Sequence, residues 1–339
     1  MPRNNQVNVG LIGTGRLGRS YADFLAHRVP GARLVAVADL IPERARTCAE
    51  ANDVPKWYDG HRELIADPAV EALVITATTT NHFEIVIDAA PSRKPIFCEK
   101  PLTLSISDAR AMKAAIERSG VFFQMGFMRR FDSAFSALKS KIDQGVIGTP
   151  VLFRGSSRDP YRPSLEYLAP ENSGGQIIDM AIHDIDIARW CMGEFRTVYA
   201  IGGVLAYPEM GPVGDTDNAI LSFTLESGAL GEIDISRNGI YGYDIRAEVQ
   251  GTKGSIQAGY LRETPILVMT EAGVMHDVVP YFPQRFREAY VAQLDDFIRN
   301  VQSQSPSRIT IEDGIAALQV AVAGTHSLKE NRIVAVKDF

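Results

Sequence analysis

The sequence predicts an α/β fold in which a doubly wound parallel sheet is followed by a second α/β domain with a large, open and mainly antiparallel sheet. Three observations lead to this prediction. Short apolar segments alternate with helical patterns over the first 125 residues, a glycine-rich turn follows the first of these segments, and consecutive strand-like segments begin near Val198. The change of rhythm indicates two domains, residues 1–125 and 126–339.

The strands of the first domain are predicted from apolar runs that show no polar alternation. Strands that are apolar throughout are typical of a parallel sheet with helices on both faces. The predicted strands are Val7–Gly13, Leu34–Asp39, Ala72–Thr78, Ile96–Cys98 and Val121–Met125.

The strands of the second domain follow one another with only turn signals between them, so we expect an antiparallel meander. Two helical patterns, about Phe286–Val301 and Ile311–Leu328, end the chain. We expect them to pack back on one of the cores, the C-terminal helix on that of the first domain. The predicted strands are Val198–Val204, Asn218–Leu225, Ala229–Arg237, Ile245–Gln250, Ser255–Ala258 and Ile266–Met269.

Composition and charge narrow the class of protein. The 339 residues are 45% apolar and 22% charged, which is ordinary for folded domains and excludes a largely disordered chain. Lys and Arg number 35 against 41 Asp and Glu, and no basic block occurs, so neither nucleic acid nor an anionic membrane is expected as a partner. The net charge of −6 is compatible with a small, neutral substrate, which needs no electrostatic steering.

The cysteines and the hydropathy pattern predict a cytoplasmic protein. Cys48, Cys98 and Cys191 are far apart and odd in number, which argues against a disulfide framework or a thiolate zinc site. No segment approaches the roughly 18 uninterrupted apolar residues of a membrane span. The polar segment Met1 to Asn8 lacks the basic and apolar blocks of a signal peptide.

Gly13-Thr14-Gly15-Arg16-Leu17-Gly18 is a GxGxxG motif between the first strand and a helical pattern. Such glycines allow a tight turn, close approach of the backbone to a pyrophosphate, and packing of the helix against the strand. Asp39 ends the second strand 21 residues after Gly18, near the spacing of about 20 at which a carboxylate binds the adenosine ribose. No Arg or Lys follows at positions 40–42, so NAD is expected rather than NADP. The alternative is a glycine turn in which Asp39 only caps a helix.

Glu99-Lys100-Pro101 comes directly after the predicted strand Ile96–Cys98. Lys100 should therefore lie at the carboxyl end of the parallel sheet, where ligands of open α/β folds bind. A lysine at this point can donate to a substrate hydroxyl or stabilise a developing alkoxide. An ordinary surface lysine is the alternative.

Asp179, His183 and Asp186 are spaced i, i+4 and i+7 in an otherwise apolar helical pattern, so a regular α-helix would place them on one stripe. A histidine buried beside carboxylates can titrate near neutral pH and act as a general acid or base. A buried hydrogen-bonded triad would explain the same spacing. So would a divalent metal site, although none of the other five of the chain's six histidines is nearby.

Polar residues also follow two further strands of the first domain. Arg129 and Arg130 come after the last parallel strand, where cofactor and substrate should meet, and exposed arginines at a domain crossover are the alternative. The small polar residues of Thr76–His82 would let a cofactor ribose lie close to the backbone. We expect His82 itself to be a hydrogen-bonding residue at a helix start and not a catalyst.

Together these motifs resemble the glucose-fructose oxidoreductase/inositol dehydrogenase (Gfo/Idh/MocA) family over nearly the whole chain. The motifs are the Gly13–Gly18 turn, Thr78–His82, Glu99-Lys100-Pro101 and Asp179-x-x-x-His183. Within that family, further segments are similar to the inositol 2-dehydrogenases, although two of them, Ser157–Pro160 and Tyr241–Asp244, indicate only turns by themselves. These further segments are Gly126–Asp132, Ser157–Pro160, Gly174–Asp186 and Tyr241–Asp244.

The resemblance implies a Rossmann domain followed by an α/β domain whose open sheet forms the interface of a homotetramer. It implies that Lys100 hydrogen-bonds the reacting hydroxyl, that His183 takes its proton, and that Asp179 orients the substrate ring and supports the base. The residues expected at the substrate are Lys100, Arg130, Ser157, Asp159, Asp179, His183 and Tyr243.

The same resemblance, together with the motifs, defines the expected cofactor site. Two departures from the family pattern concern Ser157, where some inositol dehydrogenases carry histidine, and Thr78-Thr79-Thr80, where many relatives have Thr-Pro. The residues expected at NAD are Gly13, Thr14, Gly15, Arg16, Leu17, Asp39, Thr76, Thr78, Asn81, His82, Glu99, Lys100, Met128 and Arg129.

The expected function is an NAD-dependent dehydrogenase acting on CH–OH groups, with inositol oxidised to keto-inositol (2-inosose). His183 would be the base and Lys100 would polarise the hydroxyl. A dehydrogenase of an aldose or another pyranose shares the same motifs. An NAD-dependent glycosidase and a non-catalytic NAD(H) sensor are less favoured.

Overall fold

The structure is a computed structural model that describes residues 6–259 and 262–339, so the first five residues of the polar N-terminal segment lie outside it. The strands are β1 (Val7–Ile12), β2 (Ala32–Ala38), β3 (Lys56–Tyr58), β4 (Ala72–Ile75), β5 (Ile96–Glu99), β6 (Phe123–Gly126), β7 (Pro150–Arg158), β8 (Phe195–Gly203), β9 (Asn218–Leu225), β10 (Leu230–Ser236), β11 (Asp244–Gly251), β12 (Gly254–Gly259), β13 (Val268–Thr270), β14 (Gly273–Met275) and β15 (Val334–Ala335).

The helices connect and cover these strands. They are α1 (Arg16–His27), α2 (Pro42–Ala51), α3 (His61–Ala66), α4 (Thr79–Ala89), α5 (Ile106–Ser119), α6 (Ser133–Asp143), α7 (Leu165–Leu168), α8 (Pro170–Ser173), α9 (Ile182–Met192), α10 (Phe282–Arg285), α11 (Arg287–Ser303) and α12 (Ile311–Glu330). Among the described residues, none of these helices is both long and apolar enough to cross a bilayer.

The chain divides into two units, and the division does not fall at a single point. The first unit comprises Met1–Met128 and Tyr290–Ala316, and the second comprises Arg129–Ala289 and Ala317–Phe339. The chain therefore leaves the first unit, builds most of the second, and returns through α11 before α12 continues into the second unit again.

The first unit contains a six-stranded parallel sheet in the order β3-β2-β1-β4-β5-β6. Its central strands are buried at every residue except Asn8, as expected for strands with apolar residues on both faces. The strand order reverses between β1 and β4, and ligands of doubly wound sheets bind at the carboxyl ends of the strands beside such a reversal. The predicted doubly wound sheet is confirmed.

Two details of the first sheet differ from the sequence-based expectation. The edge strand β3 was not predicted, because Lys56-Trp57-Tyr58 is short and largely exposed and so gives no apolar run. The segment Ala72–Thr78 is a strand only as far as Ile75, because the chain turns there toward α4, whose N-cap is Thr78.

Helix α11 supplies part of the first unit's core. The ring of Phe297 lies 5.8 Å from that of Phe97 and 5.9 Å from that of Phe122, and the ring of Tyr290 lies 5.7 Å from that of Tyr21. Aromatic pairs at these separations are favourable. A segment distant in sequence thus completes the hydrophobic core of the parallel sheet.

The second unit contains a seven-stranded sheet in the order β12-β11-β7-β10-β9-β8-β15. This sheet is mixed: most neighbouring strands are antiparallel, but one pair is parallel. Strand β7, which was not among the predicted strands, lies between β11 and β10 and runs parallel to β10. The open and mainly antiparallel character of the sheet is otherwise confirmed.

The two faces of the second sheet differ in burial. Along β9 the pattern alternates, with Leu221 buried and Ile220 exposed. Helix α12 packs on the buried face, where Gly324 approaches Leu221 and the Ser327 hydroxyl accepts a hydrogen bond from Ala200 N. The opposite face carries exposed apolar side chains at Ile201, Ile220, Leu230 and Ile333.

Candidate active site

The glycine turn of the first unit has the geometry required for a pyrophosphate. Gly13 has φ +95°, and a Cβ there would lie 2.4 Å from Ala77 N. A Cβ at Gly18 would lie 1.9 Å from Gly13 O, so the close contact between helix and turn requires glycine. Gly15 is the N-cap of α1, and a Cβ there would meet nothing within 4 Å. The N-terminus of α1 is therefore open to a phosphate, as the motif predicts.

Asp39 connects this turn to the end of β2. Its Oδ2 accepts hydrogen bonds from Thr14 N at 2.7 Å and from Thr14 Oγ1 at 3.0 Å, and its Oδ1 accepts from Ile41 N at 2.9 Å. The side chain is half-exposed, and each carboxylate oxygen has more than one lone pair. Asp39 thus orders the turn and the start of α2 while keeping acceptor capacity toward solvent.

The segment after β4 is joined to both neighbouring loops. The Thr76 hydroxyl donates to Gly13 O at 2.7 Å. His82 is buried, with Nδ1 2.9 Å from Pro101 O and Nε2 3.0 Å from Ala77 O. Burial lowers the pKa of His82. These contacts give His82 a structural part, because it connects the start of α4 to the loop that carries Lys100.

Glu99, the residue before Lys100, is the centre of a buried polar cluster. The Glu99 Oε2 atom accepts a hydrogen bond from Lys100 N at 3.0 Å. Its Oε1 atom accepts from the Tyr21 hydroxyl and from Gln293 Nε2, the latter at 3.2 Å. Burial raises the pKa of Glu99, and burial followed by the nearby Glu99 charge raises the pKa of Tyr21.

Tyr21 and Gln293 were missed by the sequence analysis. Tyr21 lies on the apolar stripe of α1 and is indistinguishable there from a core residue. Gln293 is a fully buried amide in α11, far from Glu99 in sequence. The only available signal was a polar residue on the apolar face of a helix, which does not identify its partner.

The helical segment with Asp179 and His183 is not the regular α-helix that the prediction of one stripe assumed. Residues Ile177–Ala181 form a π-helical turn, and α9 begins at Ile182. A π turn holds more residues than an α turn, so it rotates Asp179 relative to the residues of α9. The two carboxylates are bound by different arginines, Asp186 by Arg130 and Asp179 by Arg237.

Arg130 is held by a two-point ion pair. Its Nε and Nη2 atoms lie 3.0 and 2.6 Å from the two oxygens of the buried Asp186. The guanidinium also lies over the ring of Trp190, 5.7 Å from the ring centroid. Such fork-shaped pairing fixes the plane of an arginine side chain.

Arg129 is part of a second buried network and is only 2% exposed, which excludes the alternative of an exposed crossover arginine. Its Nη1 donates to Asp184 Oδ1 at 2.8 Å and its Nη2 to Ser157 Oγ at 3.0 Å. Ser157 Oγ in turn donates to Asp184 Oδ2 at 2.6 Å. Burial raises the pKa of Asp184, and the charge of Arg129 opposes this effect.

Asp179 is half-buried and takes part in a third network. Its Oδ2 lies 3.1 Å from Nη2 of Arg237, and its Oδ1 accepts a hydrogen bond from the Tyr167 hydroxyl at 2.9 Å. Arg237 also lies 4.0 Å from Asp215. Arg237, Tyr167 and Asp215 were not predicted as members of this network, because each lies in a segment without a motif.

Tyr243 and Asp159 lie near these networks in the second unit. Tyr243 is buried, with its ring 5.5 Å from that of Tyr281 and 6.2 Å from that of Phe286. Burial, followed by the Asp159 charge, raises the pKa of Tyr243. The charge of Asp159 also acts on Arg237. The second unit therefore brings Asp159 into electrostatic contact with both Tyr243 and the partner of Asp179.

Two models of one protein family match this chain. The family model described as "Oxidoreductase family, NAD-binding Rossmann fold" matches residues 7–127, and the one described as "Oxidoreductase family, C-terminal alpha/beta domain" matches residues 139–336. Both matches agree with the two kinds of sheet that the structure shows.

Individual relatives are similar over nearly their full length. The chain is 40% identical over 326 residues to the scyllo-inositol 2-dehydrogenase (NAD(+)) of Bacillus subtilis, covering 96% of this chain and 95% of the relative. It is 41% identical over 334 residues to the myo-inositol 2-dehydrogenase of Thermotoga maritima, covering 98% and 99%. The scyllo-inositol dehydrogenase of Lactobacillus casei with bound NAD(H) and scyllo-inositol has a TM-score of 0.93 at 30% identity, covering 98% and 99%.

Proposed function

Because the chain belongs to the Gfo/Idh/MocA family of NAD-binding oxidoreductases, we propose that it oxidises a ring hydroxyl of inositol to the ketone, 2-inosose. One observation carries this proposal: the nearly full-length similarity, at about 40% identity, to two inositol 2-dehydrogenases. The candidate residues Lys100, Asp179 and His183 are all present in the chain.

The first unit fits NAD on its own geometry. Gly13, Gly15 and Asp39 would hold it, because the open N-terminus of α1 can receive the pyrophosphate and the half-exposed carboxylate can accept from ribose hydroxyls. Bound NAD⁺ supplies the acceptor for the hydride that leaves the carbon atom of the alcohol. Asp39 would repel a 2′-phosphate, so we propose NAD in preference to NADP.

The remaining chemistry is proton handling by the chain's own residues. Lys100 donates a hydrogen bond to the reacting hydroxyl and stabilises negative charge on its oxygen. His183 accepts the hydroxyl proton as the C–H bond is broken, and Asp179 stabilises the imidazolium that forms. Since the base must be neutral to accept a proton, oxidation should become faster as the pH rises.

Residues of the second unit would orient the polyol. Arg130, Asp159 and Tyr243 offer donors and acceptors that suit neutral hydroxyl groups. Ser157 is buried, and its hydroxyl already bonds to Arg129 and Asp184. We propose that Ser157 contributes to the substrate site indirectly, through its hydrogen bonds to Arg129 and Asp184. This role would explain why the chain can carry serine where some relatives carry histidine.

The open face of the second sheet is a proposed interface between copies of the chain. It carries exposed apolar side chains and a groove of about 440 Å³ lined by residues that include Leu152, Tyr199 and Leu230. Several exposed apolar side chains on one sheet face are typical of a protein interface. We propose a homotetramer, and light scattering coupled to size exclusion tests it. Leu230→Lys should lower the measured mass, whereas a monomeric wild type would contradict the proposal.

An initial-rate panel tests the function. Inositol isomers and aldopyranoses are supplied with NAD⁺ or NADP⁺, and the reduced cofactor is followed by absorbance. We expect oxidation of an inositol isomer with NAD⁺. Oxidation of aldoses alone would contradict the substrate, preference for NADP⁺ would contradict the role of Asp39, and tight NADH binding without any oxidation would indicate a sensor.

A further inference from the structure

We propose that Arg237 and Tyr167 are positioning residues that hold the Asp179 carboxylate from two sides during the reaction. This inference rests on the proposed function, in which Asp179 supports the base His183. It adds two residues that no motif of the sequence identifies.

Arg237 is a buried cation placed against Asp179. It follows β10 directly and its side chain is 0% exposed. Its Nη2 lies 3.1 Å from Asp179 Oδ2, while its Nε and Nη1 have no hydrogen-bond partner among the described residues. A buried guanidinium is costly unless carboxylates compensate its charge. If Asp179 were protonated, the buried positive charge of Arg237 would be poorly compensated.

Asp215 shares this cation but has a different role. It lies at 4.0 Å from Arg237, and its Oδ1 accepts a hydrogen bond from Gln176 N at 2.9 Å. Gln176 immediately precedes the π-helical turn that carries Asp179. Asp215 thus fixes the start of this segment, and Arg237 makes the closer contact with Asp179 itself.

Tyr167 approaches Asp179 from a separate element. Its hydroxyl donates to Asp179 Oδ1 at 2.9 Å, and it lies on the short helix α7, whose N-cap Ser164 accepts a hydrogen bond from Tyr167 N. Each carboxylate oxygen of Asp179 therefore has a donor from a different segment. Two donors on opposite oxygens fix the plane of the carboxylate as well as its position.

The charged and titratable groups around Asp179 define the expected pH effect. They are Arg237, Tyr167 and Asp215, then Asp159, whose charge acts on Arg237, and His183, which lies in the first turn of α9. Arg237 and the Tyr167 hydroxyl both favour the ionised carboxylate of Asp179, whereas the charge of Asp215 opposes it. Removal of either donor should make protonation of Asp179 easier, so the acid side of the kcat profile should move to higher pH.

Tyr167→Phe is the first test, because Tyr167 is 39% exposed and the substitution should leave folding intact. We expect kcat for the polyol to fall about 10- to 100-fold, the range for a hydrogen bond to a charged group. We also expect KM to change little and the acid side of the profile to move to higher pH. Tyr58→Phe is the matched control, since it removes a tyrosine hydroxyl that donates to Asp67 at 2.9 Å in the first unit. A Tyr167→Phe enzyme with wild-type kcat and pH profile would overturn the proposal.

Arg237 is tested by Arg237→Lys and Arg237→Met, with melting temperature and NADH binding measured on each. Arg237→Lys keeps the cation, so it should recover part of the kcat lost in Arg237→Met and show a smaller shift of the pH profile. Arg285→Lys is the matched control, because Arg285 is a buried arginine paired with Asp132 at 2.7 Å. It should lower stability without moving the pH profile. If Arg285→Lys shifted the pH profile of kcat as much as Arg237→Lys does, the role of Arg237 would be only structural.

Asp179→Asn separates this inference from the proposed function. A fully active Asp179→Asn would contradict the role of Asp179 in the reaction, and the inference with it. An inactive Asp179→Asn together with wild-type pH profiles in Tyr167→Phe and Arg237→Met would overturn the two-sided support alone.

Discussion

The candidate residues of the first unit follow the ends of parallel strands, whereas those of the second unit are held by buried ion pairs. In the first unit the turn Gly13–Gly18, Asp39 and Lys100 each come directly after a strand of one sheet. In the second unit Asp179, Asp184 and Asp186 each bind an arginine 55 to 58 residues away in sequence.

The difference shows two ways of building a polar site. Backbone N–H groups at a helix start are oriented by the fold itself and require only small residues beside them. Buried carboxylates instead need a partner of opposite charge, and each pair is costly to break. We therefore expect a substitution at the open position Gly15 to change cofactor binding with little loss of stability, and substitutions in the buried ion pairs to change stability.

The largest effect should come from the two proposed reactive groups, one in each unit. His183→Ala and Lys100→Ala should each lower turnover by about 10²- to 10⁴-fold, the usual contribution of general acid-base assistance. Both variants should still bind NADH, because the glycine turn is unchanged. Steady-state rates and fluorescence titration with NADH measure the two properties. Wild-type turnover in either variant would contradict its assignment.

The buried network of the second unit should show the largest loss of stability. Asp184→Asn leaves the guanidinium of Arg129 without its carboxylate, and the free energy of unfolding should fall by about 3–5 kcal/mol. Denaturant unfolding measures this change. Glu43→Gln is the control, because its ion pair with Arg46 is exposed and should contribute nothing measurable. If Asp184→Asn and Glu43→Gln lowered the free energy of unfolding by similar amounts, the contrast between the two units would be wrong.

The glycine turn should show a binding effect without a stability effect. Gly15 has φ −65° and open space at its Cβ position, so Gly15→Ala should fold normally. The added methyl group would lie beside the N-terminus of α1, and NADH binding should weaken about tenfold, or roughly 1.4 kcal/mol. Gly211→Ala, also with open space at Cβ, is the matched control in the second unit. Unchanged NADH affinity in Gly15→Ala would place the pyrophosphate elsewhere.

The smallest effect concerns a partly exposed ion pair of the first unit and its dependence on pH. Hydrogen bonding from Lys56 lowers the pKa of Asp67 from 3.8 to about 2. Since the folded value is the lower one, ionised Asp67 stabilises the fold above pH 3.8, and this contribution disappears as the pH falls through about 2.

Lys56→Met tests this sign. Near neutral pH it should lower the free energy of unfolding by less than Asp184→Asn does, because Lys56 is 46% exposed and solvent screens the pair. The difference from wild type should vanish in strong acid. A difference that grows as the pH falls would contradict the lowered pKa of Asp67.

Local sequence patterns were sufficient to predict the fold class, the glycine turn after β1 and the position of Lys100 at the end of β5. Each depends on residues that are contiguous in the chain: apolar runs for the strands, GxGxxG for the turn, and a strand followed by Glu99-Lys100-Pro101. The family resemblance rests on the same contiguous motifs and is confirmed by the family match.

Only the tertiary structure decided which polar residues are partners. Regular α-helical spacing predicts Asp179 and Asp186 on one stripe, but Asp179 lies in a π-helical turn, and the two carboxylates are bound by different arginines. Strand β7 enters the middle of the second sheet, and α11 returns to the first unit with Gln293. The physical reason is the distance along the chain over which each interaction acts. A backbone conformation is selected mainly by neighbouring residues, whereas a buried charge is satisfied by any partner that the folded chain brings within a few ångströms.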